Sequence, residues 1–152
     1  MQHKTVTLPV KKADHTDDLP VPCYMTDGAS GLDLYAAVDK PTEIGPGKVL
    51  MVPTGLYVAV PPGFELQIRP RSGLAAKYGL GIINSPGTID SDYRGEIKII
   101  VINLGSEKYT IKRGDRIAQM VLCPVFRADI KVVSKLPASS RNEGGFGHTG
   151  KA

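Results

Sequence analysis

A chain of 152 residues with 41% hydrophobic and 22% charged residues can bury one core and falls within soluble globular composition. The net charge of +4 and a pI near 9.1 suit an anionic small ligand as well as nucleic acid. With 6% aromatic residues and no RNP-type motif, a base-stacking RNA platform is disfavoured. Cys23 and Cys123 have no metal-ligand spacing and read as free thiols of a reducing compartment. The opening Met1-Gln-His-Lys-Thr5 has no apolar signal core and no run reaches membrane-spanning length, so a cytoplasmic protein is expected.

Seventeen glycines and 12 prolines predict many turns, hence many short strands. Val6 to Val10 alternates weakly, and Pro9 suits an edge strand because it cannot donate to a ladder. Ala13 to Ser30 reads as loop. Gly31 to Ala37 alternates, with Leu32 and Leu34 opposite Asp33 and Tyr35. Ile44-Gly-Pro-Gly47 is a turn. Lys48 to Val52 and Gly55 to Val60 read as two strands flanking Pro53-Thr-Gly55, and Pro61-Pro-Gly63 closes the second. Phe64 to Arg69 is a half-buried strand, with Phe64, Leu66 and Ile68 on one face and Glu65, Gln67 and Arg69 on the other.

The one helix expected is Ser72 to Tyr78, with Ser72 as N-cap and Gly79 at its C-terminal end. Next comes the stretch around which the chain is organised, Asn84 to Ile97, between the apolar runs Gly79 to Ile83 and Ile97 to Ile102. It reads as a hairpin loop with Asp92-Tyr93-Arg94-Gly95 at its tip. Lys112-Arg-Gly-Asp115 is a tight turn between Tyr109–Ile111 and Arg116–Leu122, and Ile130 to Val133 reads as the last strand. Residues 1–136 are expected to form a single β domain. Residues 137–152, with Phe146 their one large ring, are expected to form a mobile arm. The fold class is therefore all-β: a barrel, sandwich or jelly roll of short strands with one short helix at about 72–78.

Four features carry chemistry. Arg69-Pro-Arg-Ser-Gly73 offers guanidinium, hydroxyl and backbone N–H groups to an anion, or is a capped helix beside a surface arginine. Gly144 to Lys151 contains G-x-G-x-x-G, and nearly a phosphate loop, but no helix can follow, so both motif families are rejected. Its glycines could still bring N–H groups close to phosphate, with Phe146 stacking on a base. Among Asp33, Asp90 and Asp92, the last fits ordinary turn bonding, whereas Asp90 could act as a general base on water. Gln119 interrupts an apolar strand, either as a ligand contact or as an outward-facing residue. His3, His15 and His148 show no pairing that suggests a metal site or triad.

Taken together these pieces resemble the trimeric all-β dUTPases, deoxyuridine triphosphate nucleotidohydrolases. Five motifs appear in order: Ser30-Gly-Leu-Asp-Leu-Tyr-Ala36, Pro70-Arg-Ser-Gly-Leu74, Gly87-Thr-Ile-Asp-Ser-Asp-Tyr-Arg-Gly95, Gly114-Asp-Arg-Ile-Ala-Gln119 and Arg141-Asn-Glu-Gly-Gly-Phe-Gly-His-Thr149. The resemblance implies a jelly-roll-like distorted barrel forming a homotrimer, with shared active sites and a flexible C-terminal arm. It implies Mg²⁺-dependent hydrolysis of dUTP to dUMP and pyrophosphate, which limits uracil incorporation into DNA and supplies dUMP for thymidylate synthesis. No nucleic-acid or membrane partner is implied.

The same resemblance assigns roles. Asp90 is similar to the base that directs water at the α-phosphorus. Tyr93 resembles the ring under the deoxyribose that excludes a 2′-hydroxyl. Asn84, with Ile89 and the hairpin backbone, would read uracil. Arg71, Ser72, Gly73 and Gln119 would contact phosphates, and Asp33 would act on Mg²⁺ indirectly, through water. Arg141, Gly147 and Thr149 would hold the terminal phosphate, with Phe146 covering the base, so the arm becomes a lid. The dCTP deaminases share the fold. They use a glutamate in the strand after the hairpin, where Ile100 stands here. A catalytically silent binding module on the same scaffold is the third reading, and retention of Asp90 argues against it.

Overall fold

Alternation builds most of the molecule. In the computed structural model, which describes residues 5–145, ten strands and one short helix follow in order: β1 Val10–Lys12, β2 Leu32–Tyr35, β3 Thr42–Ile44, β4 Val49–Val58, β5 Phe64–Arg69, α1 Ser72–Tyr78, β6 Leu80–Ile82, β7 Gly87–Ile89, β8 Glu96–Asn103, β9 Tyr109–Ile111 and β10 Arg116–Pro124. They form two four-stranded sheets, ordered β1-β4-β8-β6 and β2-β10-β5-β7, and a small β3-β9 pair. Every pairing is antiparallel. The all-β expectation holds, with a single α-helix among the described residues.

The core lies between the two large sheets. Leu34, Leu66 and Met120 enter from one and Val52, Ile97 and Ile99 from the other, all nearly or fully buried. Each such side chain contributes about 1.5–3 kcal/mol of hydrophobic stabilisation. The buried Asn103 leaves no polar group unpaired. Its Nδ2 donates to the carbonyls of Ile44 (2.9 Å) and Glu107 (2.8 Å), and its Oδ1 accepts from Gly105 N–H (2.9 Å). At the surface, Arg113 grips the segment before β2 through Asp18 (2.7 and 2.8 Å) and the His15 carbonyl (2.6 Å). That guanidinium holds the Asp18 carboxyl down to about 2.

Several predicted elements differ from those observed. The expected pair of strands around Pro53 is one strand, β4. It pairs with β8 over Val49 to Pro53 and again at Tyr57, with a register shift between them, and its end also pairs with β1 on the other edge. Pro53 is tolerated in this central strand because it sits opposite Lys98 in a pair that needs no proline N–H, and its carbonyl accepts from Ala37 instead (2.8 Å). Gly55 makes the bend with φ +65°. The edge strand lies two to four residues later than expected, at Val10–Lys12.

The segment Asn84 to Ile97 is not a simple hairpin loop. Its flanking strands β6 and β8 do pair, but β7 between them crosses to the other sheet and pairs with β5. Ser72 is not the N-cap. Arg71 takes the extended cap conformation without a side-chain cap bond, and Ser72 is the first helical residue. Gly79 closes the helix in the left-handed region, as expected. Ile130 to Val133 forms no strand. Ile130 is 82% and Val132 98% exposed, with no strand paired to them among the described residues.

A Cβ at Gly55 would run into the buried Thr16 side chain and would require a positive φ as well. Gly55→Ala is therefore expected to destabilise the fold by about 1–3 kcal/mol. Urea unfolding should show a lower midpoint with an unchanged m value.

Candidate active site

Among the described residues, two separate cavities collect several of the predicted ones. The first, about 270 Å³, is lined by Gly31, Asp33, Arg71, Ser72, Gly73, Arg116 and Gln119, with Met25 and Ala29 from the preceding loop. Three adjacent strands and one junction position it. Asp33 on β2 sits opposite Gln119 on β10, Gln119 sits opposite Arg69 on β5, and Arg71 to Gly73 follow as β5 passes into α1.

Asp33 is 8% exposed, and both its oxygens are engaged. Oδ1 meets Arg71 Nε at 3.3 Å and Oδ2 meets Arg116 Nη1 at 3.1 Å. Arg71 Nη1 also donates to the Arg116 carbonyl (3.0 Å), and Gln119 Nε2 donates to the Pro70 carbonyl (3.3 Å). The guanidiniums retain further N–H groups that can face an anion. Gly31 is required for this arrangement, since a Cβ there would lie 2.6 Å from Gln119 Oε1.

The sequence reading assigned no role to Gly31 or Arg116. For Arg116 the reason is geometric. In an unbroken strand, residues 116 and 119 face opposite sides. A β-bulge between Arg116 and Ala118 absorbs one residue and turns Arg116 to the face of Gln119. Arg116 lies within the run Gly114–Gln119, so a second cation beside Gln119 was the only hint available.

The second cavity lies between β7 and β8, lined by Ile68, Ile82, Asn84, Gly87, Thr88, Ile89, Lys98, Ile99 and Ile100. Here the β6–β8 ladder stops. Ile83 N–H donates to Ile100 O (3.0 Å), so alternate residues of β8 present their peptide groups on that side. Lys98 is the next such residue, and β6 has already ended. Its N–H and C=O are thus directed at the cavity, beside the Asn84 amide. Among the described residues, Lys98 is the one ionisable group lining this cavity, and Ile100 offers none.

Asp90 and Tyr93 stand beyond β7 on an exposed tip. Tyr93 N–H donates to Asp90 O (3.2 Å), the Tyr93 hydroxyl to Glu96 O (2.9 Å), and Arg94 Nη1 to the Ser91 and Tyr93 carbonyls (both 2.8 Å). The Tyr93 ring lies across Gly95, in space a Cβ would occupy. This tip is far from Arg71. β7 runs antiparallel to β5 with Ile89 opposite Leu66, which puts Asp90 level with Glu65, while Arg71 leaves the other end of β5. Six residues of extended chain separate the two levels by roughly 20 Å.

The described residues of the expected arm are not among those lining either cavity. Residues 125–145 carry no helix or strand, and Arg141 Nε donates to the nearby Gly144 carbonyl. Phe146, Gly147 and Thr149, like His3 and His148, lie outside the described residues. Among the described residues no group of three His, Cys, Asp or Glu side chains could hold a metal, and no helix is long and apolar enough to cross a membrane.

A sequence model of the dUTPase family matches residues 17–150. The chain is 55% identical over 146 residues to the deoxyuridine 5′-triphosphate nucleotidohydrolase of Thermoanaerobacter sp. (strain X514), covering 96% of this chain and 99% of that one. It is 50% identical over 153 residues to the enzyme of the same name from Wolbachia sp. subsp. Brugia malayi, covering 99% and 98%. Among solved structures, the Staphylococcus bacteriophage 80alpha dUTPase with dUpNHpp superposes with a TM-score of 0.86 at 26% identity, over 97% of this chain and all of the other. A dUTPase from phage phi11 of S. aureus, described with a structural Mg(II) ion, shares the fold at 23% identity with a TM-score of 0.75, over 86% of this chain and 98% of that one.

Gly95→Ala should push the Tyr93 ring off the tip and break its bond to Glu96 O. Tyrosine ring resonances of Tyr93 are expected to shift by NMR, while core methyls such as those of Leu66 and Ile99 stay in place. An unmoved Tyr93 ring would show that Gly95 does not set it.

Proposed function

This chain belongs to the dUTPase family, and on that premise we propose that it hydrolyses dUTP to dUMP and pyrophosphate as a homotrimer, each site drawing on more than one subunit. One observation carries the shared site: within one chain Asp90 and the Arg71–Gln119 cavity lie at opposite ends of β5. A base that directs water at phosphorus must stand within a water's reach of it. Phosphates seated by Arg71, Ser72, Gly73 and Gln119 therefore meet the Asp90 of another copy.

The chemistry at each end suits its assigned part of the substrate. Asn84 and the Lys98 peptide offer donors and an acceptor to the edge of uracil, with Ile89 beside them. Cytosine reverses one donor–acceptor pair, which leaves buried groups unpaired and disfavours it strongly. Tyr93 excludes a 2′-hydroxyl by occupying its space. Asp90, exposed and unburdened by an ion pair among the described residues, activates water as general base. Ile100 beside the base has no proton to move, which speaks against cytosine deamination.

Mg²⁺ fits this site as an ion held by triphosphate oxygens and water. Each Asp33 oxygen already accepts from a guanidinium but keeps a lone pair for a metal-bound water. When bound, the ion neutralises triphosphate charge. The arm supplies Arg141, Gly147 and Thr149 to the terminal phosphate and Phe146 to the base, closing the site against bulk water.

Pyrophosphate is expected from dUTP alone among dUTP, UTP, dCTP and dTTP, and ammonia from dCTP would refute the assignment. Asp90→Asn should lower kcat by about 10²–10⁴-fold with little change in KM. The shared site is tested by complementation. Asp90→Asn and Arg71→Ala are each expected to be nearly inactive, but co-folded in equal amounts they should recover about a quarter of parental activity through hybrid trimers. No recovery in a mixture shown to contain hybrids would confine the site to one subunit.

A further inference from the structure

The anion cavity holds a charge that the residues assigned to phosphate leave unexplained. Among the described residues, its ionisable lining consists of Arg71, Arg116 and Asp33. Asp33 is nearly buried and bridges the two guanidiniums, one on each oxygen. Its single negative charge offsets one arginine. With Arg71 alone beside it the cavity would be neutral, and a neutral cavity gives phosphate little electrostatic reason to enter. Arg116 supplies the net positive charge.

Its placement requires a specific backbone feature. Without the bulge between Arg116 and Ala118, the side chain would point to the other face of β10. With it, Arg116 stands beside Asp33 with its side chain 42% exposed. Nη1 meets Asp33, so the remaining guanidinium N–H groups can reach a second set of oxygens. Asp33 in turn holds two mutually repelling cations side by side.

We infer that Arg116 is a second anion-binding cation of this site. Its ligand class is the pyrophosphoryl group, both as part of the triphosphate and as the inorganic pyrophosphate product. This rests on the reading of the cavity as the phosphate side of the dUTP site. Two adjacent guanidiniums, a Ser72 hydroxyl and a Gln119 amide in one concave space suit a compact, multiply charged anion with oxygens on two phosphorus centres. Asp33 is then a positioning residue acting through both arginines.

The test is calorimetric titration of metal-free inorganic pyrophosphate into the full-length protein and its Arg116→Gln and Arg116→Lys variants. Arg116→Gln should weaken binding by about tenfold or more and flatten its salt dependence, while Arg116→Lys should recover part of the loss. Parental affinity and salt dependence in folded Arg116→Gln would overturn the inference. Should that variant fail to fold, the parent decides. Its Arg116 guanidinium resonance should shift on adding pyrophosphate, and an unmoved signal while Arg71 responds would overturn the inference equally. Pyrophosphate binding by a protein that does not turn over dUTP would sink the hydrolase reading and leave Arg116 in place. Turnover of dUTP with unimpaired pyrophosphate binding in Arg116→Gln would do the reverse.

Discussion

The crossing of β7 from one sheet to the other is the constraint on which the rest depends. After β6 the chain leaves the sheet it shares with β8, pairs three residues with β5, and returns. This interrupts the β6–β8 ladder at Ile83, and the interruption leaves the Lys98 peptide directed at a cavity instead of a strand. An interrupted ladder is a place where a flat polar ligand can substitute for a missing strand, because each unpaired backbone group buried away from water is unfavourable. The same crossing fixes the direction in which the chain emerges after Ile89, and so places Asp90 and Tyr93 at the end of β5 remote from Arg71.

A few small residues make that geometry possible, each for a local reason. Pro53 sits opposite Lys98 where no N–H is needed across the pair, because the Lys98 peptide is directed to the other side of β8. Gly95 leaves room for the Tyr93 ring, and Gly31 for the Gln119 amide. At both glycines the missing atom belongs to one residue and the benefit to another. Each absent Cβ lets the neighbouring side chain reach a backbone carbonyl, Glu96 O for the Tyr93 hydroxyl and Pro70 O for the Gln119 amide.

Much of the scaffold was legible because burial and period agree. Phe64 to Arg69 alternates cleanly and is the half-buried strand it promises; the turns at Gly47, Gly63 and Gly114 follow from glycine at positive φ. Legibility failed where one residue breaks a period. Pro53 and Gly55 resemble a turn, and only the register shift against β8, which pairs with β4 on both sides of it, shows that a strand passes through them. The bulge at Arg116 reverses a face, and no periodicity can reveal that. Ile130 to Val133 carries a strand's composition but finds no partner among the described residues. Ser72 looks like a cap, yet Arg71 after Pro70 already has the extended backbone a cap requires, so the Ser72 hydroxyl lines the cavity without closing a helix end. Motif order proposes residues for a site, but it cannot show that they stand in two separate places within one chain, because motif order carries no register.

On the proposed homotrimer, that separation and the exposed apolar surface have a common explanation. Val49 and Met51 on β4 stand in register with Ile102 and Ile100 on β8, and Ile83 extends the second row. Val49, Met51 and Ile83 are each about half exposed, and Leu104 nearby is 72% exposed. Beyond the tie from Val125 N–H to Gly63 O, the chain presents Phe126, Ile130, Val132 and Leu136 to solvent as well. Scattered apolar residues need no explanation, but a continuous row across two strands followed by an apolar extended segment is the mark of a surface built to be covered. Covering it with further copies of the same chain would remove this area from water. It would also carry the tip of one copy toward the cavity of another, which no rearrangement within one chain could do without breaking the β5–β7 pairing. Stability and completion of the site would then come from the same contacts, so the protein would be active only in the state in which it is also most stable.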